Sequence, residues 1–512
     1  MTAIWDALLL YSSIALALCF FLYSFDFYYM LKLAGNYHLP RVGASKSRPT
    51  VSIHLPIYNE KYVAERLLGA CLASAEIYGR DKVSVRVLDD STDETTAIIE
   101  RAASFYRNRG FNVEVRHREF RTGFKAGALR RALEETDEEF IVVFDSDFVP
   151  KPDFLVRAVD FITSDEKLGV VQFRWSYTNR DYNWITKSVA IGLDAHFLIE
   201  QPARSSSGLF LKFNGSAGII RTSALKEAGG WQEDTLAEDL DSSYRIQMCD
   251  YRIQYVTDDV PCEIPPTVAG FKRQQARWTR GSLQVAKKSL RQVMVSKKFR
   301  SSKKLDAFVH LTYYMVHPLM YASFLITCFA AAFDLGASTI QSSFGGNGGF
   351  ASINEILWLF LTGLAIVCTA GGWAFYIKPM RMQGFSVARN FSSLLFLGLL
   401  GYGICVSNTM EAFRGLFLKK TGVFKRTPKY AVVGKSGSWR DKKYQIPIDS
   451  VSAFELGSFL LALFAIWRSI VFANYGVALI LCIFAFAFLL VLVATLFQRA
   501  KEEKPAPNHV KD

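Results

Sequence analysis

Hydrophobic positions along this chain fall into two patterns. From about Ile4 to Met30 apolar residues run without a period, and Asp6 and Asp26 near the two ends are the only charges. Such a run spans a hydrocarbon core of ~30 Å. It lacks a basic start and a small-residue cleavage site, so it is expected to be a retained helix. Unbroken runs return at Phe308–Phe333, Ile356–Ile377, Phe391–Val406, Phe454–Phe472 and Val477–Phe497. Between about Lys32 and Asp306 the pattern changes. Short β-rich stretches (Val51–Leu55, Val83–Leu88, Val113–Arg116, Phe140–Phe144 and Val170–Phe173) alternate with helix-period stretches (Glu60–Tyr78, Thr92–Arg109, Lys125–Glu135 and Asp153–Ile162). This alternation predicts an α/β domain with a mostly parallel sheet covered by helices on both faces. Ligands of such folds sit beyond the carboxyl ends of the strands.

Basic residues orient the apolar runs. The connection Asp334–Asn354 has no Lys or Arg, whereas Lys378, Arg381 and Arg389 follow the next run and nine Lys or Arg lie between Lys419 and Lys443. The positive-inside rule puts the first outside and the others in the cytosol. A full crossing at Phe391–Val406 would export the basic stretch. That segment, with the amphipathic Asn408–Leu418, is therefore expected to be re-entrant or interfacial. The expectation is five crossings, an outside N-terminus and a cytosolic domain in a multi-pass protein of the plasma (inner) membrane, with six crossings as the alternative. The divisions are a first helix (1–33), a soluble domain with interface helices (34–306), two spans (307–378), an interfacial and loop segment (379–453), two spans (454–498) and a polar tail (499–512). Ile191–Gln201 is one expected interface helix, in which His196 and Glu200 form no HExxH metal motif.

Composition agrees with a mixture of two populations. The 512 residues carry a net charge of +13, and half are hydrophobic while 21% are charged; the mean hydropathy is +0.15. Collagen, intrinsic disorder and a small disulfide scaffold are excluded, since Gly and Pro are modest and the eight Cys form no CxxC pair. The basic residues are spread through juxtamembrane segments without a compact nucleic-acid motif. Anionic lipid headgroups account for them, and no nucleic-acid partner is expected.

Acidic residues lie where the sheet rule places a site. Val83–Leu88 runs into Asp89-Asp90-Ser91-Thr92-Asp93, and Phe140–Phe144 into Asp145-Ser146-Asp147. Capping of the next helix competes as an explanation for Ser91, Thr92 and Asp93. It explains Asp145 and Asp147 less well, because alternate carboxylates at a sheet edge suit a hard cation and a nucleotide. Pro56-Ile57-Tyr58-Asn59-Glu60 can bring a ring and a carboxylate to the same edge. Arg121-Thr122-Gly123-Phe124-Lys125-Ala126-Gly127 offers amides and a Lys to a diphosphate without being a P-loop. Glu238-Asp239 could simply begin a helix, and Phe271–Trp278 is expected to precede a basic helix. Trp175 and Trp231 could equally be packing residues, and His310 and His317 could line a sugar path.

As a set, these residues resemble the processive membrane-embedded glycosyltransferases of family 2, the group of cellulose, chitin and hyaluronan synthases. Their D, D, D, Q(Q/R)xRW signature is matched by Asp89/Asp90, Asp145/Asp147, Asp239 and Gln274-Gln275-Ala276-Arg277-Trp278. Val171–Trp175, Phe213–Gly218 and Gly123–Leu129 resemble phrases of the cellulose-synthase-like branch of mannan and glucan synthases, and Phe424–Lys429 is similar to a cytosolic gating loop. Two departures are Ala237 and Ile57, each in place of a Thr; the second leaves the donor base in doubt. The resemblance implies a GT-A fold inserted between membrane helices, and inverting transfer from a nucleotide-diphosphate sugar of the UDP-glucose or GDP-mannose class to a β-glycan that is then passed across the membrane. It implies Asp239, Glu238 and Arg277 as catalytic residues, with Asp239 the base. Tyr58, Glu60, Asp89, Asp90, Lys125, Asp145 and Gln274 would bind the donor. Trp278, Gly215 and Ser216 would meet the acceptor, and Asp147 with Asp145 would hold Mg²⁺ or Mn²⁺. The competing readings are transfer of one sugar to a membrane lipid and a non-catalytic scaffold; the intact Asp147, Asp239 and Arg277 oppose the latter.

Overall fold

The computed structural model describes residues 2–335, 353–418, 421–424, 426–439 and 451–502. Most of the Asp334–Asn354 connection, Lys419, Lys425, the end of the basic stretch at Lys443 and the tail after 502 lie outside the described residues. Seven strands form one sheet: β1 Val51–Ile57, β2 Val83–Asp89, β3 Asn112–His117, β4 Phe140–Val143, β5 Leu168–Tyr177, β6 Gly218–Arg221 and β7 Arg252–Cys262. Their order is β3-β2-β1-β4-β6-β5-β7. Every pairing is parallel except those of β6, which runs antiparallel to both β4 and β5. The expected mostly parallel sheet is present; β6 and β7 are additions to the strands read from the sequence.

β2 and β4 are buried along their whole length, which is why they read as unbroken apolar runs. Alternate side chains feed two cores. Ile53, Leu55 and Val142 pack under α2 (Ala64–Tyr78), α3 (Thr95–Arg107) and α5 (Phe154–Thr163). Ile141 and Val143 face α4 (Phe124–Glu134), α8 (Thr222–Glu227) and α9 (Glu238–Met248). Trp231 is 1% exposed within this second core and so is a packing residue.

The expected interface segment Ile191–Gln201 is part of a longer helical stretch. It comprises α6 (Trp184–Ala195), a π-helical turn His196–Glu200 and α7 (Gln201–Ser206). Asn183 starts it with a capping box closed by Thr186.

α10 (Val268–Val295) ties the sheet domain to the apolar helices. Thr267 caps it, its hydroxyl accepting from the Gly270 amide at 3.1 Å. The Phe271–Trp278 motif therefore lies inside the helix instead of preceding it, because the cap falls before the motif and no breaker follows until Ser296. At 1.5 Å per residue α10 is about 42 Å long. Near its start Lys272 meets Glu455 of Val451–Val471 at 2.5 Å, both buried. In mid-helix a Cβ on Gly281 would come within 2.9 Å of the Ala237 amide nitrogen. Further on, Gln284 accepts from the Leu236 amide at 2.9 Å and donates to the Thr421 carbonyl at 2.9 Å.

Among the described residues, five helices are long and apolar enough to cross a membrane: Ala7–Ala34, Ser301–Phe333, Leu359–Met382, Val451–Val471 and Tyr475–Phe497. The second begins before Phe308, where the sequence reading placed it. Helix α11 (Ser301–Thr312) continues through a turn at Tyr313–Met315 into α12 (Val316–Phe333). Phe391–Gly403 and Cys405–Phe417, in the segment expected to be re-entrant or interfacial, form a pair bent by 48°; counting that pair as one span gives six.

The G281A substitution weighs two effects. Ala gains about 1 kcal/mol over Gly in a helix interior, but its methyl meets immovable backbone of the loop before α9. Overpacking of this kind costs roughly 1–3 kcal/mol. We expect G281A to melt below the wild type in a thermal unfolding scan of the purified full chain, whereas a higher melting temperature would show that the loop yields.

Candidate active site

The carboxyl ends of β1, β2, β4, β5 and β7 gather acidic side chains at one edge of the sheet. Asp89, 0% exposed, is turned inward. Its oxygens accept from the Ser91 amide (3.0 Å) and the Thr96 hydroxyl (2.6 Å) and lie 2.9 Å from His117 Nδ1. The structure thus does not bring Asp89 to the cleft; both oxygens are used in holding the turn. Asp93 accepts from the Thr95 amide at 2.9 Å beside the start of α3, as the capping explanation required. Asp90 is gripped by Arg118, whose Nε and Nη2 donate to its two oxygens at 2.6 Å each, a fork geometry suited to a buried carboxylate. Arg121 lies 3.6 Å from Asp90 and stacks 3.6 Å over the Tyr58 ring.

Asp145 and Asp147 occupy different environments. Asp145 is partly exposed and accepts from Lys125 Nζ at 2.7 Å. Asp147, 2% exposed, accepts from the Glu263 amide (2.9 Å) and pairs with Lys429 Nζ (2.9 Å) through Oδ2, while its Oδ1 is buried without a hydrogen-bond partner. A buried unpaired carboxylate oxygen beside a second carboxylate fits a hard cation, which commonly takes one or two protein carboxylates and completes its shell with phosphate and water. No cluster of three or more His, Cys, Asp or Glu suited to a metal exists among the described residues.

Glu238 and Asp239 begin α9, so the helix-start explanation holds for their position. They are also in the cleft. Lys125 Nζ lies 3.4 Å from Glu238 and donates to the Gly215 carbonyl at 3.0 Å. Burial opposes its charge, but Asp145 and Glu238 outweigh burial and keep Lys125 protonated. Burial also pushes the Glu238 carboxyl up, against Lys125. Gly215 has φ +80, and a Cβ there would lie 2.9 Å from Asp239 Oδ2; glycine is needed both for the backbone and for the close approach. Ser216 is fully buried, its hydroxyl accepting from the Asp145 amide at 3.0 Å, so it supports Asp145 and does not face an acceptor. Trp175 is half-buried between Phe148 and Phe197 and donates to the Ser216 carbonyl at 3.3 Å. From α10, Gln274 is buried with Oε1 unpaired, Arg277 sits 4.8 Å over the Phe424 ring, and Trp278 is half-buried. A cleft of about 190 Å³ is lined by Gly123, Phe124, Lys125, Glu233, Glu238 and Phe424.

Residues 421–424 and 426–439 cross this edge as a strap. Phe424 stacks on Phe124 at 6.3 Å. Arg426 pairs with Glu60 at 3.0 Å, and burial pushes the Glu60 carboxyl up to about 8 despite Arg426 and Lys429. The Tyr430 amide donates to Glu263 at 2.8 Å. The sequence reading missed Arg118, Glu263 and the partners of the strap. A forked Arg near the end of β3 was a usable signal, whereas Glu263 carried none. His310 is half-buried and sits 2.8 Å from the Tyr244 hydroxyl, and His317 stacks on Tyr314 with Nδ1 unpaired.

Residues 52–227 match the family described as Glycosyl transferase family 2, and residues 140–371 match Glycosyl transferase family group 2. The chain is 35% identical over 290 residues to Glucomannan 4-beta-mannosyltransferase 2 of Arabidopsis thaliana, covering 56% of this chain and 53% of that one. It is 36% identical over 274 residues to Glucomannan 4-beta-mannosyltransferase 1 of Cyamopsis tetragonoloba, covering 52% and 51%. The chain spans about half the length of the curated relatives it matches. A solved structure described as the mannosyltransferase PcManGT from Pyrobaculum calidifontis in complex with GDP-Man and Mn2+ is 21% identical, with a TM-score of 0.50 over 79% of this chain and 99% of that chain. That likeness establishes a shared fold.

Lys429 holds Oδ2 of Asp147, beside the unpaired Oδ1 on which a cation would draw. Removing its charge with K429M should tighten Mn²⁺ binding by roughly ten-fold, the equivalent of ~1.4 kcal/mol of competing attraction. Titration followed by electron paramagnetic resonance of free Mn²⁺ reads this directly; an unchanged or weaker affinity would mean that Lys429 does not compete.

Proposed function

The chain belongs to the family 2 glycosyl transferases, and on that premise we propose that it transfers mannose from GDP-mannose to a growing β-glycan with inversion at the anomeric carbon. The observation that carries this reading is the meeting of Asp239, Lys125 and Asp145 around Gly215, an acid–base group beside a fixed cation at the mouth of a cleft. The choice of donor is supported by the glucomannan 4-beta-mannosyltransferases among its relatives and by the GDP-Man bound to a protein of the same fold.

Asp239 takes the proton of the acceptor hydroxyl. Lys125 and Arg277 set fixed positive charge where the diphosphate leaves, and loss of such a group costs ~10²–10³ in rate. Arg121 over Tyr58, with Phe124 and Phe424 beside it, offers a flat cationic and aromatic surface to the nucleoside; Asp90, held by Arg118, lies at its edge. Asp145 and Asp147 would hold Mg²⁺ or Mn²⁺, whose charge would offset that of the diphosphate. Glu238 keeps Lys125 in place, and Trp278 with Gln274 borders the acceptor. The product's path across the membrane, with the transferase domain on the cytosolic side, is supported by α10, which carries Arg277 and is pinned to a membrane-length helix by the Lys272–Glu455 pair.

Purified full chain in nanodiscs, supplied with Mn²⁺ and a panel of labelled nucleotide sugars, is expected to make long mannanase-sensitive chains from GDP-mannose. A single labelled lipid product would overturn the polymer reading, and turnover of another donor alone would overturn the choice of mannose. In the same assay D239N should lower transfer by ~10²–10⁴ while GDP and Mn²⁺ binding, followed by calorimetry, stay at the wild-type level. Retained transfer would remove Asp239 from the role of base.

A further inference from the structure

A second polar cluster lies behind Gly215 and takes no part in the transfer step described above. His196, in the π-helical turn, has Nδ1 2.7 Å from Glu200 Oε2 and Nε2 3.0 Å from Asn214 Oδ1. Glu200 Oε1 accepts from Arg204 Nε at 2.9 Å, and Arg204 Nη1 donates to the two oxygens of Asp306 at 3.1 and 2.8 Å. His310, on α11, is 3.9 Å from Glu200. Its other nitrogen meets Tyr244 on α9, the helix that begins with Glu238 and Asp239. Single-turn π-helices are frequent at functional sites, and this one places His196 and Glu200 side by side on the face toward Asn214.

Asn214 is held on two sides and open on a third. Its amide N–H donates to Gln172 at 2.8 Å, its side-chain oxygen meets His196, and its side-chain NH2 is buried without a partner. An unpaired buried amide costs ~1–3 kcal/mol. The next residue is Gly215, against Asp239. Arg277 Nε, Gln274 Oε1 and His317 Nδ1 are further buried atoms without partners. Donors and acceptors of this kind, gathered where the sheet domain meets the membrane-length helices, match the alternating hydroxyls of a sugar.

We propose, resting on the transferase reading, that Asn214 binds a hydroxyl of the acceptor sugar through its side-chain amide and that the His196–Glu200 pair fixes which end of that amide faces the sugar. With both ring nitrogens opposite oxygen atoms, His196 satisfies its surroundings as an imidazolium that donates to Glu200 and Asn214, and the Asn214 NH2 is left for the sugar. Loss of the Nε2 proton reverses the arrangement, since the lone pair then takes the NH2 and the carbonyl turns to the sugar. Burial first, and then Lys212, outweigh Glu200 and Asn214 and hold the His196 ring below its ordinary pKa, so the imidazolium arrangement belongs to the acid side and the acceptor affinity falls as the pH rises. Glu200 remains ionised because His196 and Arg204 outweigh its burial. The groups facing the ring are therefore Glu200 and Arg204 from its own helical stretch, Lys212 and Asn214 from the loop, and His310 and Asp306 from α11. His196 and Glu200 act through Asn214 and are positioning residues.

The test uses the full chain in nanodiscs with mannohexaose as the acceptor probe, GDP with Mn²⁺ as the donor-side probe, and GDP-mannose turnover. N214L, close in size and without hydrogen-bonding groups, should weaken mannohexaose binding by roughly 3- to 10-fold and raise the acceptor KM, with GDP–Mn²⁺ affinity unchanged. N214D keeps an oxygen for His196 but lacks the NH2, and should weaken mannohexaose binding as well. The acceptor KM of the wild type should shift between mildly acid and neutral pH, and H196Q should flatten that profile. Unchanged mannohexaose affinity in N214L and N214D overturns the role of Asn214, and an H196Q profile identical to the wild type overturns that of His196. A wild type that releases no GDP from GDP-mannose fails the transferase reading on its own, whichever way the variants behave in binding.

Discussion

Carboxylates crowded at one edge of a sheet repel each other, and the rest of this structure is organised around that constraint. Each buried ion costs several kcal/mol unless it is paired. Asp90 is met by Arg118, Asp145 and Glu238 by Lys125, Asp147 by Lys429 and Glu60 by Arg426. These cations arrive from the end of β3, the start of α4 and the strap, so the three segments converge on one place. Asp239 is the exception: among the described residues no basic side chain lies within ion-pair distance of it.

The second organising element is α10. One helix carries Gln274 and Arg277 at the cleft, presses Gly281 and Gln284 against the loop that leads to Glu238, and joins a membrane-length helix through Lys272. Displacing that helix along its axis would move Arg277 together with Glu238 and Asp239. Chemistry and the apolar helices are coupled mechanically because both are fastened to a single rigid rod.

The fold was legible wherever burial is symmetrical. β1, β2 and β4 are covered on both faces, and their apolar runs announced them; the helices between them kept a clean period. β6 escaped because four residues give no pattern, and β7 because its exposure is irregular along eleven. In the site, Asp145, Asp147, Asp239 and Arg277 were readable because each stands just beyond a strand or in a distinctive motif. The bonds of Asp89 and Ser216 were not readable, since a side chain that turns inward to brace a loop looks the same in sequence as one that faces a ligand. Nor were Arg426–Glu60 and Lys429–Asp147, whose partners lie far apart in the chain and meet only through the fold.

β6 runs against its neighbours, so the loop it brings to the active edge precedes the strand instead of following it. Asn214–Ala217 enters from α7, outside the strand–loop–helix rhythm that builds the parallel half of the sheet. The two halves of the cleft are thus separately tailored parts: the reversed strand lets the wall around Gly215 be recut, by lengthening or exchanging the segment after Ser206, without disturbing any crossover between the parallel strands.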